Sequence, residues 1–187
     1  SGSGGSGAPS TAPLPVLRTI SSMDLVDQEG EPVNLQTFRG QPWFANIIFT
    51  RCPGPCARMT QKMRQLQEAL PAEASEVQLV SLTTDPDFDT PEVLSQYARK
   101  FQADTQSWKF LTGTKEEIVR VSTQEWLLVM IEKGEAERES PNDIFLHSTL
   151  TVLMDGLGRI RGTYEILEEG QLEEALADLQ RLLQEAS

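Results

Sequence analysis

The sequence predicts an α/β domain, with a central mixed sheet flanked by helices. Two observations carry this reading. Short apolar runs such as "WFANIIF", "VQLVSL" and "LTVLM" have the length and composition of buried strands. Between them lie longer segments whose apolar residues recur three and four apart, the spacing of one face of a helix. Strands alternating with helices imply a sheet covered by helices on both faces.

Taken in order, "TISSMDLVDQEGEPVNL" reads as an N-terminal β-hairpin about a Gln-Glu-Gly turn. "PWFANIIFT" is a strand apolar enough to be central. From Pro55 the period changes, and Cys56, Met59, Met63, Leu66 and Leu70 form one helix face. Pro55 suits the first helical turn, where its missing N–H costs nothing. "VQLVSLTTD" is a second buried strand. "DTPEVLSQYARKF" is a helix with Thr90 as N-cap, Pro91 at the first position and Glu92 favourable to the dipole. "WKFLTG" is a short strand and "TKEEIVRVSTQEW" a helix, while "WLLVMIEKG" fits a strand or a helix end. "EAERESPND" is a polar loop. "STLTVLMD" and "RIRGTYEI" form a second hairpin about Gly156-Leu157-Gly158, and the chain closes on a helix amphipathic through Leu172, Leu176, Leu179 and Leu183. A late hairpin followed by a last helix is the layout of a thioredoxin-like fold.

The 187 residues suffice for a full core without disulfides. The net charge of -12 repels phosphate backbones, so nucleic acid is an unsuitable partner. No run reaches the ~18 apolar residues of a membrane span. The opening "SGSGGSGAPSTAP", residues 1–13, reads as a flexible Gly/Ser-rich linker or cloning remnant. The domain is expected over 14–187, with the native N-terminus, and any export signal or anchor, missing from the chain.

The chemistry concentrates in "FTRCPGPC", which holds both cysteines, Cys52 and Cys56. A thiolate at a strand-to-helix turn is favoured by the helix dipole and N–H groups. Residues four apart on a helix have Cβ atoms about 5–6 Å apart, close enough for a reversible disulfide after small adjustment, or for one metal ion between two sulfurs. Cys56 also continues the Met59/Met63 stripe and so fits a buried core position. The single histidine, His147, stands just before the "STLTVLMD" strand. In a thioredoxin-like fold that loop faces the cysteine helix, and no proline occupies it here. Two thiols and an imidazole suit Cu(I), Cu(II) or zinc. Structural zinc usually takes four protein ligands, whereas three suit trigonal Cu(I). Met59 reads as core, and Asp85, Asp87 and Asp89 as a turn and cap before a helix.

Together these segments resemble the Sco/SenC family, thioredoxin-fold copper-binding proteins that assist assembly of the binuclear copper centre of cytochrome c oxidase. The resemblance runs roughly from Leu14 to Leu183 and rests on "FTRCPGPC", "TTDPDFDTPEVLSQYARKF", "WKFLTG" and "HSTLTVLMDGLGRIRGTY" in that order. It implies that Cys52, Cys56 and His147 are copper ligands, for Cu(I), Cu(II) or both. It also implies a monomeric metallochaperone rather than an enzyme, placed outside the cytoplasm and membrane-associated only through an N-terminal anchor. Its partner would be a copper-accepting protein, an oxidase subunit in the family's role. Four positions depart from the family's common residues: Gly54 and Pro55 between the cysteines, Ala57 in place of a proline, and Leu146 in place of an aspartate. These losses remove negative charge near the metal.

The competing reading is a thiol-disulfide oxidoreductase, with Cys52 attacking a partner protein's disulfide and Cys56 resolving it. The three-residue spacer and the missing proline before the late strand count against it. A thiol peroxidase fits worse, because Phe49 stands three residues before Cys52 where peroxiredoxins place Thr or Ser. Inert cysteines in a contact-only domain would alkylate slowly.

Overall fold

The structure is a computed structural model that describes residues 12–52, 54–74, 76–128, 130–132, 136 and 145–185. Its six-stranded sheet has the order β1-β10-β9-β4-β5-β6. The strands are β1 (Arg18–Thr19), β4 (Trp43–Ile48), β5 (Gln78–Thr83), β6 (Trp108–Leu111), β9 (Leu150–Met154) and β10 (Arg159–Glu165). β4, β5 and β6 run parallel, whereas β9, β10 and β1 are joined antiparallel to their neighbours. The sheet is therefore mixed, as the sequence predicts, and β4 lies inside it with all six residues buried.

Alternation along the strands divides the core. Phe44, Ile48, Leu79 and Leu153 face α1 (Pro55–Ala69), α2 (Pro91–Lys100) and α4 (Gln171–Glu185). Trp43, Ala45, Ile47, Val80 and Val152 face α3 (Lys115–Arg120) and the N-terminal elements. The helix boundaries follow the sequence signals. Pro55 opens α1, and Thr90 accepts a hydrogen bond from Val93 N–H at the start of α2. Leu70 falls just outside α1, in extended geometry before Pro71. On α4 the buried stripe is Ala175, Leu179 and Leu182, while Leu172, Leu176 and Leu183 are half-buried.

The expected N-terminal hairpin exists as a small separate sheet of β2 (Leu25–Val26) and β3 (Pro32–Val33). Its anticipated first residue, Thr19, instead belongs with Arg18 to β1, which extends the edge of the main sheet against Ile160 and Arg159. The expected helix over 114–126 is shorter. After Arg120 it widens into a π-helical turn over Val121–Glu125. Ser122 and Thr123 donate back to the carbonyls of Ile118 and Val119, both at 2.6 Å. The buried Glu125 carboxylate is drawn to Ser21 and Arg120. The ambiguous segment that follows is a strand, β7 (Met130–Glu132), paired antiparallel with β8 (Phe145–His147). His147 thus ends a strand of its own instead of standing in a loop. The polar loop expected at 135–143 lies, apart from Ala136, outside the described residues, as does the linker over 1–11.

Candidate functional site

The two cysteines sit where the chain leaves the sheet. β4 ends at Ile48, Phe49 is buried, and a tight turn follows in which Cys52 N–H donates to the Phe49 carbonyl at 3.2 Å. Gly54 then precedes the helix and Pro55 occupies its first turn. Cys52 is half-buried and Cys56 is 1% exposed, and both are thiols with no disulfide between them. Cys56 belongs to the buried cluster that includes Ile48, Phe49, Leu94 and Tyr97, and Cys52 lies against the same cluster. The two side chains are within hydrogen-bonding reach of each other. Burial pushes the Cys56 thiol far above its ordinary range, and its hydrogen bond with Cys52 pushes it further. Cys56 is therefore a protonated thiol until something able to displace that proton arrives.

The loop after β5 lies beside the cysteine turn because β4 and β5 end in register, with Ile48 opposite Thr83. Asp89 is fully buried there. Its carboxylate accepts from Thr50 N–H at 3.0 Å, from the Thr50 hydroxyl, and from the Thr83 hydroxyl at 2.6 Å. Burial raises the pKa of Asp89 against the pull of these three donors. Asp85 accepts from the Arg51 guanidinium at 2.8 Å, and that guanidinium lies 4.3 Å from the centroid of the Phe88 ring. The expected turn and cap are present, with Asp89 N–H bonded to the Asp85 carbonyl and Thr90 capping α2. Sequence reasoning missed that two of the three aspartates also grip the residues just before Cys52. Only the exposed Asp87 is left without such a role.

His147 reaches this pole by topology. β9 runs antiparallel to β4, with Trp43 opposite Met154 and Ala45 opposite Val152. The residues that precede Leu150 therefore arrive at the end of the sheet where β4 gives way to the cysteine turn. His147 lies three residues before Leu150, roughly 10 Å of extended chain at most.

The donor set suits a soft cation. Two adjacent sulfurs are in place, while Asp85 and Asp89 are committed to Arg51, Thr50 and Thr83. Among the described residues no three His, Cys, Asp or Glu side chains gather into one group. Met59 is fully buried on α1, as a core residue should be.

A mixed sheet of this topology with a cysteine pair where its central strand meets a helix defines a thioredoxin-like thiol domain. Residues 13–184 match the SCO1/SenC family model. The chain belongs to the SCO1/SenC family. Among solved structures it is similar to a SCO1/SenC family lipoprotein from Bacillus anthracis, with a TM-score of 0.81 and 29% identity over 92% of this chain and 99% of that one. It is also similar to BsSco, a member of the Sco family of cytochrome c oxidase assembly proteins in which a disulfide switch was identified. That match has a TM-score of 0.77 and 26% identity over 91% of this chain and 98% of the other. A Stutzerimonas stutzeri protein named as a copper-binding candidate is 38% identical over 110 residues, 58% of this chain and 52% of that protein.

Proposed function

We propose that this chain binds one copper ion through Cys52, Cys56 and His147 and passes it to a copper-accepting protein. The observation that carries the reading is the cysteine pair, side by side where β4 meets α1, and it is supported by a register that runs the residues before Leu150 toward the same end of the sheet. The family, and the copper-binding name given to a relative, support the choice of metal. Two thiolates and an imidazole form a soft, low-coordinate site, which holds Cu(I) and releases it by ligand exchange to a partner offering similar donors. Cys56 is sheltered in the core, so exchange begins at the half-buried Cys52. The acceptor we propose is a cytochrome c oxidase subunit, following the family role of assembly. We place the domain, residues 14–187, outside the cytoplasm. Among the described residues no helix is long and apolar enough to cross a membrane.

The test is an anaerobic Cu(I) titration of the reduced protein against a competing chelator. One tight equivalent is expected, lost in Cys52→Ser and Cys56→Ser and weakened in His147→Ala. Unchanged binding in His147→Ala would overturn the three-ligand site. No tight copper in the intact protein would overturn the copper reading.

The second reading, thiol-disulfide exchange, is favoured by the asymmetry of the pair. The Cys52 thiolate would attack a partner disulfide and expel one partner thiolate. The Cys56 thiol, giving its proton to the expelled partner thiolate, would then attack the Cys52 sulfur of the mixed disulfide and release the second partner sulfur as thiolate. The partner ends reduced by two electrons and this chain ends with a Cys52–Cys56 disulfide. Absence of turnover in an insulin-reduction assay would rule it out.

A further inference from the structure

The loop over residues 85–89 does more than start α2. Its geometry is rigid in itself: Phe88 N–H and Asp89 N–H both return to the Asp85 carbonyl, at 3.2 and 2.8 Å, and Asp85 N–H is bonded to the Thr83 hydroxyl at 3.0 Å. From this frame two carboxylates reach out to consecutive residues of the cysteine turn. Asp89 takes the N–H and hydroxyl of Thr50, and Asp85 takes the guanidinium of Arg51. Thr50 and Arg51 are the two residues before Cys52, whose own N–H closes the turn on Phe49. Asp89 is also fully buried, a position in which a carboxylate is costly unless its hydrogen bonds are met.

We propose that Asp89 is a positioning residue for the thiol pair, holding the turn so that the Cys52 sulfur stays beside that of Cys56. It acts through Thr50, whose N–H and hydroxyl it holds. Three donors on one buried carboxylate tie the cysteine turn after β4 and the end of β5 to the loop that starts α2. A pair held at binding distance beforehand loses less freedom when it captures a cation or closes to a disulfide.

The copper arm of the test rests on the proposed copper site, and the second arm does not. In the first, Cu(I) affinity is measured for Asp89→Asn, Thr50→Val and Thr50→Ser. Asp89→Asn and Thr50→Val should bind about tenfold more weakly or worse, the loss common for outer-shell partners of a metal site. Thr50→Ser, which keeps the hydroxyl, should restore the wild-type value. Tyr164→Phe serves as a control for stability alone, since it removes the 2.7 Å bond from Tyr164 to Asp178 on α4. It should lower the melting temperature and leave affinity unchanged. In the second arm the equilibrium between the Cys52–Cys56 dithiol and its disulfide is measured against glutathione without metal. Asp89→Asn and Thr50→Val should shift that constant about tenfold, about 30 mV, and Thr50→Ser and Tyr164→Phe should not. If Asp89→Asn fails to fold, the Thr50 pair decides the question alone. Absence of tight copper in the wild type would remove the copper reading only, and the thiol equilibrium would still judge the clamp. Wild-type behaviour of Thr50→Val in both arms, or failure of Thr50→Ser to restore it, would overturn the assignment.

Discussion

Tyr97 shows how one side chain can serve the core and the site together. Its hydroxyl meets the Thr60 hydroxyl at 2.9 Å, linking α2 to α1 one turn beyond Cys56. Its ring packs on Phe101 and Phe110, with centroids 4.6 and 6.1 Å away. Burial pushes the phenol above its ordinary range, so it stays neutral beside the thiols. Tyr97→Phe removes one buried hydrogen bond and should cost about 1 kcal/mol, because the Thr60 hydroxyl can turn back to its own helix. Tyr97→Ala removes the ring as well and should cost about 3–5 kcal/mol. Urea unfolding of both variants checks this, and equal losses would place the value in the hydroxyl and not in packing. Cys52, Cys56 and His147 were all legible as candidates, since a chain with two cysteines and one histidine leaves little choice. Asp89 was not, because the three donors that define its role come from Thr50 and Thr83, separated from it in sequence and joined only by strand register.

At the level of elements, the β9–β10 turn shows how closely two loops can be fitted. Gly40 N–H donates to the Gly156 carbonyl at 2.9 Å. A Cβ on Gly156 would lie 2.7 Å from the Gly40 carbonyl carbon and 2.9 Å from Gln41 N, both backbone atoms. Gly156→Ala should therefore push the turn off its neighbour and cost about 1–3 kcal/mol by overpacking. Thermal unfolding would test it, and a wild-type melting temperature would show that the turn can yield. That hairpin, the parallel strands and α2 were visible in the sequence because local signals agree there: alternation, a glycine turn, and a capping Thr before Pro. Elsewhere they compete. The helix beginning at Lys115 carries helical periodicity through Trp126, yet hydroxyl back-bonding and a buried Glu125 ion pair widen it after Arg120. Likewise β1 was hidden, since two exposed residues, Arg18 and Thr19, have no apolar pattern and are ordered only by the edge of β10.

Across the whole molecule, the pole opposite the cysteines is tied together by one buried arginine. Arg161, 4% exposed, donates to the carbonyls of Leu14 and Pro15 at 2.6 and 3.2 Å, to Asp155 at 3.1 Å and to Glu185 at 2.6 Å. One guanidinium thus joins the N-terminal segment, the β9–β10 turn and the end of α4. Arg161→Met leaves Asp155 buried with Arg159 as its remaining cation, and should cost about 3–5 kcal/mol. Asp155 gives this pole a pH signature. Burial by itself would raise its pKa, but hydrogen bonds from Arg159, Leu157 and Arg161 outweigh burial and hold it below the ordinary value. The ionised carboxylate therefore adds stability above the unfolded-state pKa of about 3.9, and that contribution fades as the pH falls through the lower folded value. Asp155→Asn should be less stable than the wild type by about 1–3 kcal/mol near neutral pH, as expected for hydrogen bonds to a charged group. In urea unfolding repeated at descending pH, the difference should narrow below about pH 4, where the unfolded carboxylate takes up its proton first. A difference that stays constant to acid pH would mean that the shape of the Asp155 side chain, and not its charge, secures the turn.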